Sequence, residues 1–160
     1  MAVVGGGQSG LAAAHALRIQ GLQPVVLEAA EQAAGSWPRY YDSLALFSPA
    51  RYSSLPGVAF GGDPDRYPHR DEVVAYLLRY ADHLDAGIRT RTRVREVRAE
   101  DGAFTLHLEG GEDVSARAVI AASGTFGRPR RPALPGLEGF AGTVLHASDY
   151  RSPEPFAGQR

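Results

Sequence analysis

The residues best suited to chemistry lie in the first 28 positions, where three spaced glycines precede an acid. Gly5, Gly7 and Gly10 follow the pattern G-x-G-x-x-G, and Glu28 comes at the end of the next apolar run. In this pattern the first glycine allows a tight turn, the second lets a pyrophosphate approach the backbone, and the third lets a helix pack closely. An acid placed like Glu28 can bind the hydroxyls of an adenosine ribose. The spacing therefore predicts a dinucleotide-binding site.

These residues need a strand, a helix and a second strand to position them. Residues 1–4 predict a short first strand, and residues 24–27 predict a buried second strand that leads into Glu28. The helix between them offers free N–H groups and a partial positive charge to phosphates at its N-terminus. Gly21 suits the position just past its end. Its apolar face consists of Leu11, Ala14 and Leu17. The alternative interpretation is a plain strand-turn-helix unit with Glu28 facing solvent.

Composition excludes several classes of function. The 160 residues are 44% hydrophobic and 22% charged, which is typical of a globular domain with its own core. A net charge of -1 predicts neither nucleic acid nor an anionic membrane as a partner. Because the sequence has no cysteine, it holds no disulfide, no thiolate metal site and no Cys-x-x-Cys redox pair. The five histidines lack metal-binding spacing, so we expect no metal site. With neither a long apolar run nor a leader sequence, a cytoplasmic location is expected.

The middle of the chain predicts a long loop and then a helix. Residues 50–69 are rich in Pro, Gly, Ser and Asp, and loops of this length in compact domains are often functional. Residues 71–84 carry one broad apolar stripe with acids in the first turn, which predicts an amphipathic helix. Aromatic residues line the loop region, which could also simply pack locally through them. They are Tyr40, Tyr41, Tyr52 and Phe60.

The pattern changes to a period of two after this helix. Turn dipeptides at 101–102 and 110–111 separate three alternating segments, 93–99, 103–109 and 113–118, which predicts an antiparallel meander. Arginines recur along this part, and a solvated strand face is favoured over a binding patch. These arginines are Arg89, Arg91, Arg93, Arg95 and Arg98.

The last third combines one apolar run with a proline-rich end. Residues 119–122 predict a strand that is buried on both faces. Ser123 and Gly124 follow it, and small residues at the carboxyl end of a parallel strand let a ligand come close. Five prolines after residue 128 predict an extended linker. We therefore divide the sequence into a domain over residues 1–127 and a Pro/Gly-rich linker over residues 128–160.

Several stretches together resemble the flavin-dependent monooxygenases of the flavin-containing and Baeyer–Villiger type, including bacterial flavoproteins described as linked to cation transport. The likeness runs along the whole sequence. Its most specific mark is the fingerprint F-x-G-x-x-x-H-x-x-x-(W/Y/F), because several residue types must fall at fixed spacing. The matching stretches are Gly5 to Gly10 with Glu28, Gly35-Ser36-Trp37, Leu46 to Pro49, Leu55 to Gly57, Ala122-Ser123-Gly124, and the spaced set Phe140, Gly142, His146 and Tyr150.

The resemblance implies an α/β fold: an FAD/NAD(P)-binding, Rossmann-like domain of the glutathione-reductase type with an antiparallel β-meander. It implies FAD as the cofactor and assigns each matching residue to one part of it. Gly5, Gly7, Gln8, Ser9 and Gly10 would hold the pyrophosphate, and Glu28 the ribose. Gly35, Ser36 and Trp37 would lie beside the flavin, the backbone of Val94 at the adenine, and Ala122, Ser123 and Gly124 over the cofactor. The plainer interpretations are Val94 as a core residue, Trp37 as packing and His146 as a hydrogen bonder in the linker.

The function implied is that of an NADPH-dependent monooxygenase acting on a small molecule. The resemblance leads us to expect that residue 160 precedes an NADPH-binding domain, so this sequence by itself should be inactive. Phe47 stands where animal flavin-containing enzymes carry an asparagine near the flavin, which puts their route of oxygenation in question. Two alternatives stay open: another FAD-dependent oxidoreductase, such as an amine oxidase or simple reductase, and a non-catalytic dinucleotide-binding module. No residue is a convincing acid–base catalyst.

Overall fold

The computed structural model describes residues 1–127 and 129–158, and shows two sheets and two α-helices in that part of the chain. Arg128, Gln159 and Arg160, which belong to the predicted linker, lie outside the described residues. The elements in chain order are β1 (Ala2–Val4), α1 (Gln8–Ile19), β2 (Val25–Leu27), α2 (Arg70–His83), β3 (Gly87–Arg89), β4 (Val94–Glu100), β5 (Ala103–Leu108), β6 (Val114–Ala116) and β7 (Val119–Ala121).

A parallel sheet in the order β3-β2-β1-β7 forms the centre of the fold. The apolar runs of β1 and β2 account for its buried middle, where Val3 and Val26 are fully buried. Helix α1 packs on this sheet through Ala14 and Leu17, whereas its Leu11 packs in the cluster that includes the buried face of α2. It ends before Gly21, whose φ of 73° and N–H bond to the carbonyl of Arg18 satisfy the last turn. The sheet and this helix place the glycines and Glu28 together at the carboxyl ends of β1 and β2.

Helix α2 begins and ends one residue earlier than predicted. Its N-terminus is fixed by a capping box, in which the backbone N–H of His69 donates to Oε2 of Glu72 at 2.9 Å. The hydroxyls of Tyr76 and Tyr80 reach into the 50–69 loop and bond backbone groups of Leu55, Val58 and Pro56 at 2.6–2.8 Å. Burial raises the pKa of Tyr80. The long loop is therefore held on α2 by buried tyrosines.

The meander is confirmed as the antiparallel sheet β4-β5-β6. Its strands lie within a few residues of the predicted bounds, and the α/β class with a parallel sheet plus a meander is confirmed with it. The five arginines are all exposed, in agreement with a solvated surface. They do not share one strand, however, because Arg89 belongs to β3 and Arg91 lies in the turn before β4.

The structure corrects the prediction for residues 119–122. Strand β7 is the end strand of the parallel sheet and pairs only with β1 among the described residues. Val119 and Ile120 are half-buried, and Ala121 is exposed. A continuous apolar run predicts burial on both faces, but here one edge and part of each face stay open to solvent.

Residues 129–158, which we call the tail, contain no α-helix or strand and include two short 3₁₀ turns at Leu137–Gly139 and Glu154–Phe156. The tail also contacts the domain, which a simple linker does not require. The backbone N–H of Asp42 donates to the carbonyl of Arg151 at 2.8 Å. The rings of Tyr41 and Tyr150 lie 6.1 Å apart. The division of the chain at residue 127 stays a prediction.

Candidate functional site

Residues 5–10, which we call the glycine turn, connect β1 to α1. The N–H of Gly5 donates to the carbonyl of Leu27 at 2.9 Å, and its φ of 107° favours glycine. A Cβ on Gly5 would overlap the carbonyl oxygen of Ala122, and one on Gly10 would overlap the carbonyl oxygen of Gly5. These two glycines are therefore required by backbone packing within the fold.

Gly7 differs from its two neighbours in the pattern. It has an extended backbone, and a Cβ there would meet the Cα of Gly35 at 3.4 Å, an ordinary contact. Gly7 is the N-cap of α1 and offers no side chain to cap it, and the first turn holds no acid. The N-terminal N–H groups of α1 therefore keep their capacity to bind an anion. Packing alone would accept a methyl group at Gly7, whereas a phosphate lying on the backbone would not.

Glu28 is buried, with 7% of its surface exposed, and both carboxylate oxygens are held. The backbone N–H of Gly6 donates to Oε2 at 2.6 Å, and that of Ala30 donates to Oε1 at 2.7 Å. The backbone of Glu28 is fixed as well, by bonds with Arg89 and Thr92. Each carboxylate oxygen retains a lone pair. The acid is thus oriented by backbone groups while it can still accept a hydroxyl, and the alternative of Glu28 facing solvent does not hold.

Residues 34–37, which we call the Trp37 arm, follow β2 in the chain and lie against the glycine turn. The indole Nε1 of Trp37 donates to Oε1 of Gln8 at 3.1 Å. Gly35 has a φ of 57°, and a Cβ on it would lie 2.7 Å from the Cα of Gly7. Gly124 faces the same arm, since a Cβ there would be 3.9 Å from Oγ of Ser36. Gly35, Ser36 and Trp37 are thereby brought together with the glycine turn.

The remaining predicted residues border the same region. Ala122 follows β7 and donates its N–H to the carbonyl of Val4 at 2.8 Å, so Ser123 and Gly124 extend past the carboxyl end of the strands. Val94 begins β4 and packs partly against the core cluster beside Leu27. The turn before Val94 is joined to the Glu28 segment by two backbone hydrogen bonds of 2.8 Å. The backbone N–H of Arg91 donates to the carbonyl of Ala30, and the backbone N–H of Thr92 donates to the carbonyl of Glu28.

Sequence reasoning missed the residues that orient Glu28. Gly6 and Ala30 contribute only backbone N–H groups, which no side-chain pattern reveals. Ala30 had one usable signal, because acids often accept a bond from the backbone two residues later. Arg91, with a φ of 51°, carries no such signal.

The fingerprint residues occupy different settings in the tail. Phe140 is 59% exposed, and its ring lies against Gly142, where a Cβ would be 2.6 Å from Cε1 of Phe140. His146 bonds within the tail, with Nδ1 2.9 Å from Oγ of Ser148. Tyr150 makes a ring contact with Tyr41 of the domain. Hydrogen bonds from Arg131 and from the backbone of His146 lower the pKa of Asp149.

Other predicted features have plainer outcomes in the described ranges. Phe47 is 98% exposed and joins no core cluster among the described residues. No group of three or more His, Cys, Asp or Glu residues among those described could hold a metal ion. None of the helices in that same part is long and apolar enough to cross a membrane.

The chain is similar to known proteins along nearly its whole length. Residues 2–160 match the family described as pyridine nucleotide-disulphide oxidoreductase. The indole-3-pyruvate monooxygenase YUCCA1 of Oryza sativa subsp. japonica is 40% identical over 161 residues, which cover 99% of this chain and 40% of that protein. The flavin-containing monooxygenase from Stenotrophomonas maltophilia superposes with a TM-score of 0.92 at 42% identity, over 98% of this chain and 48% of that one.

A solved structure of OTEMO in complex with FAD and NADP superposes less closely. Its TM-score is 0.71 at 27% identity, over 92% of this chain and 29% of that chain. This chain therefore spans less than half the length of each of these proteins.

Proposed function

This chain belongs to the pyridine nucleotide-disulphide oxidoreductase family, in which its relatives include flavin-dependent monooxygenases, and from that premise we propose that it is the FAD-binding part of an NADPH-dependent flavoprotein monooxygenase. The resemblance inferred from the sequence motifs is confirmed at the level of the family. The observation that carries the proposal is the meeting of an uncapped helix N-terminus, an oriented acid and a Trp-bearing arm at Gly7. The sequence has no cysteine, so a disulfide reaction has no thiol in this chain.

The residues fit the parts of FAD in a consistent order. Gly7 leaves the backbone bare where a methyl group would otherwise stand, which suits a pyrophosphate. Glu28, fixed through Gly6 and Ala30, would accept the ribose hydroxyls. We assign Gly5, Gly7, Gln8, Ser9 and Gly10 to the pyrophosphate and the backbone of Val94 to the adenine. Gly35, Ser36, Trp37, Ala122, Ser123 and Gly124 would border the flavin.

Bound FAD would accept hydride from NADPH and react with O₂, which is chemistry that the cofactor supplies. The residues of this chain bind, orient and shield it. The α1 N-terminus would offset the pyrophosphate charge, Glu28 would fix the adenosine end, and the Trp37 arm would exclude water from one side of the flavin. No described side chain is assigned a proton transfer.

The substrate and the second cofactor belong to the proposal for the longer protein. We assign the NADPH site to another portion of the longer protein, because this sequence holds a single G-x-G-x-x-G pattern, which we assign to FAD. The substrate would be a small molecule, and relatives named for indole-3-pyruvate support that class. The proposal includes a cytoplasmic location, which fractionation of the source cells tests.

Titration of the flavin-free chain with FAD and with FMN tests the cofactor assignment. FAD should bind and FMN should not, since FMN lacks the adenosine ribose that Glu28 would recognise. Calorimetry at neutral pH gives both affinities. Equal affinity for FMN and FAD would show that the adenosine end is not read at Glu28, and would overturn the assignment.

A second experiment tests the role of this chain within the longer enzyme. The purified chain, mixed with excess FAD, NADPH and air, should oxidise NADPH no faster than free FAD does. Glu28 makes the glycine turn a poor site for the 2′-phosphate of NADPH, because two negative charges would meet there. Sustained turnover above the free-flavin control would mean that the chain builds its own hydride site.

A further inference from the structure

At the end of the Trp37 arm, two side chains that can each lose one electron lie in ring contact. The indole of Trp37 and the phenol ring of Tyr40 have centroids 5.1 Å apart, and their planes are tilted by 58°. Indole and phenol are the aromatic side chains that a strong one-electron oxidant oxidises most readily. The sequence has no cysteine, whose thiol would compete with them. The two rings are therefore suited to carrying an oxidising equivalent.

Packing and hydrogen bonds hold both rings in place. Nε1 of Trp37 donates to Oε1 of Gln8 at 3.1 Å, and the indole packs against the buried core. The ring of Tyr40 meets that of Phe126 edge to face, with centroids 4.7 Å apart. The backbone carbonyl of Tyr40 also accepts a hydrogen bond from Arg70 at 2.8 Å. The separation of the two rings is thereby fixed, and electron transfer between rings depends steeply on their separation.

The chemistry of the two rings sets the direction of transfer. Near neutral pH a tyrosyl radical is a weaker oxidant than a tryptophanyl radical. A radical formed on Trp37 therefore takes an electron from Tyr40, and the reverse step is unfavourable. Trp37 is the member of the pair that bonds the glycine turn, through Gln8, so the transfer runs from the side of the turn to Tyr40.

We propose that Trp37 and Tyr40 form an electron-transfer pair that moves an oxidising equivalent from the side of the glycine turn to the phenol of Tyr40. An oxidant first takes one electron from the indole, which releases its Nε1 proton to water. The Trp37 radical then takes one electron from the phenol and recovers a proton from water, while the hydroxyl of Tyr40 releases its own proton. In total the oxidant gains one electron, Tyr40 becomes a neutral phenoxyl radical, and one proton enters the solvent.

In the longer enzyme the oxidant would be an oxygen radical that escapes when reduced flavin reacts with O₂, and this source rests on the proposed function. Passing the radical to Tyr40 would spare the indole that the proposed function places beside the flavin. The transfer itself rests on the two rings and their contacts. It is therefore testable in the chain without any flavin.

Pulse radiolysis of the flavin-free 160-residue chain tests the transfer. Azide radicals at neutral pH oxidise tryptophan much faster than tyrosine. Because Trp37 is the only tryptophan, each pulse creates the radical at one position. The absorption of the tryptophanyl radical should decay while that of the tyrosyl radical rises, with one shared rate constant. This rate constant should not change with protein concentration, because the electron moves within one molecule.

Two tyrosine variants locate the acceptor. Tyr40→Phe keeps the ring but removes the oxidisable phenol, whose hydroxyl has no hydrogen-bond partner among the described residues. This variant should form the tryptophanyl radical as the parent does but lose the fast phase of its decay. Tyr52→Phe is the matched control, because Tyr52 is 76% exposed and has no ring contact in the described ranges. It should transfer as the parent does, and urea unfolding checks that both variants are folded.

Four results would overturn the proposal: no tyrosyl signal in the parent, a fast phase that persists in Tyr40→Phe, an equal loss in Tyr52→Phe, or a rate constant that rises with protein concentration. The persistent phase would place the acceptor at another tyrosine. The concentration dependence would show that the electron moves between molecules. FAD titration is run separately, so that failure of the flavin site and failure of this pair give different results.

Discussion

In the glycine turn, Gly5 and Gly10 leave no room for a Cβ, whereas Gly136 and Gly139 in the tail have no heavy atom within 4 Å of that position. The two regions are equally recognisable as glycine-rich in sequence. They differ in what the glycines contact, since backbone meets backbone at Gly5 and Gly10, whereas open space surrounds Gly136 and Gly139. A glycine pattern therefore becomes informative when strands on both sides force a close approach.

The charged groups of the two regions show the same contrast. Glu28 is buried and held by two backbone N–H groups, whereas Asp149 is exposed and held mainly by Arg131 at 2.8 Å. Backbone donors fixed by strand pairing keep a carboxylate in one orientation. An exposed arginine is screened by water and contributes little to stability. The acid beside the turn is therefore held firmly in one orientation, whereas the acid of the tail is held only by exposed groups.

An added methyl group should change the free energy of unfolding far more in the glycine turn than in the tail. Gly10→Ala should destabilise the fold by about 3 kcal/mol, because its Cβ overlaps the backbone oxygen of Gly5. Gly139→Ala, the matched control in the tail, should stay within about 0.5 kcal/mol of the parent. Urea unfolding followed by circular dichroism gives both values. Similar midpoints for the two variants would show that the turn is as loosely packed as the tail.

A smaller effect is expected at Glu28. Glu28→Gln places an amide where two backbone N–H groups need acceptors, and should cost about 1.5–3 kcal/mol of folding free energy. The same substitution should also weaken the binding of FAD. Asp149→Asn is the matched control in the tail, and its urea midpoint should equal that of the parent. An unchanged midpoint for Glu28→Gln would mean that the carboxylate is not held as described.

Trp37 offers a spectroscopic test of the arm that meets the glycine turn. It is the only tryptophan, so its emission reports one position. FAD should quench it strongly, because the proposed flavin lies beside the indole. Free riboflavin at the same absorbance controls for light absorption by the flavin. Emission that stays unchanged at saturating FAD would place Trp37 away from the cofactor.

The smallest effect concerns the pH response of the tail. The pKa of Asp149 is lowered from its usual 3.8, chiefly by the hydrogen bond from Arg131. The contribution of the Asp149 carboxylate to the stability of the tail is therefore present above pH 3.8, and it is lost as the pH falls through the lowered pKa. Arg131→Gln should raise the pKa toward 3.8, as measured by NMR of the carboxyl carbon. A pKa that is the same in both proteins would contradict the ion pair.

The sequence predicted the elements that have strong periodicity. Both α-helices and the three strands of the meander were found within a few residues of their bounds, because apolar stripes and turn dipeptides carry that information. Strand β3 was missed, since Gly87, Ile88 and Arg89 give one apolar residue between a glycine and a charge. It forms through pairing with β2, a long-range contact that local pattern does not contain.

The site was predicted as a set of residues but not as a geometry. The glycine pattern and Glu28 indicated where a dinucleotide would lie, and the assignment of each residue to a part of FAD stays a prediction. The orientation of Glu28 by Gly6 and Ala30 depends on backbone N–H groups. The contact between Tyr41 and Tyr150 depends on how the tail folds back, which spacing along the chain does not specify.

The central claim is that the glycine turn is a pyrophosphate site as well as a structural turn. Gly7→Ala tests it most directly, because a Cβ there makes only an ordinary contact with Gly35. The variant should unfold at the same urea concentration as the parent yet bind FAD at least about tenfold more weakly, while Gly139→Ala binds FAD normally. If Gly7→Ala folds normally and binds FAD as tightly as the parent, the cofactor does not lie on this turn.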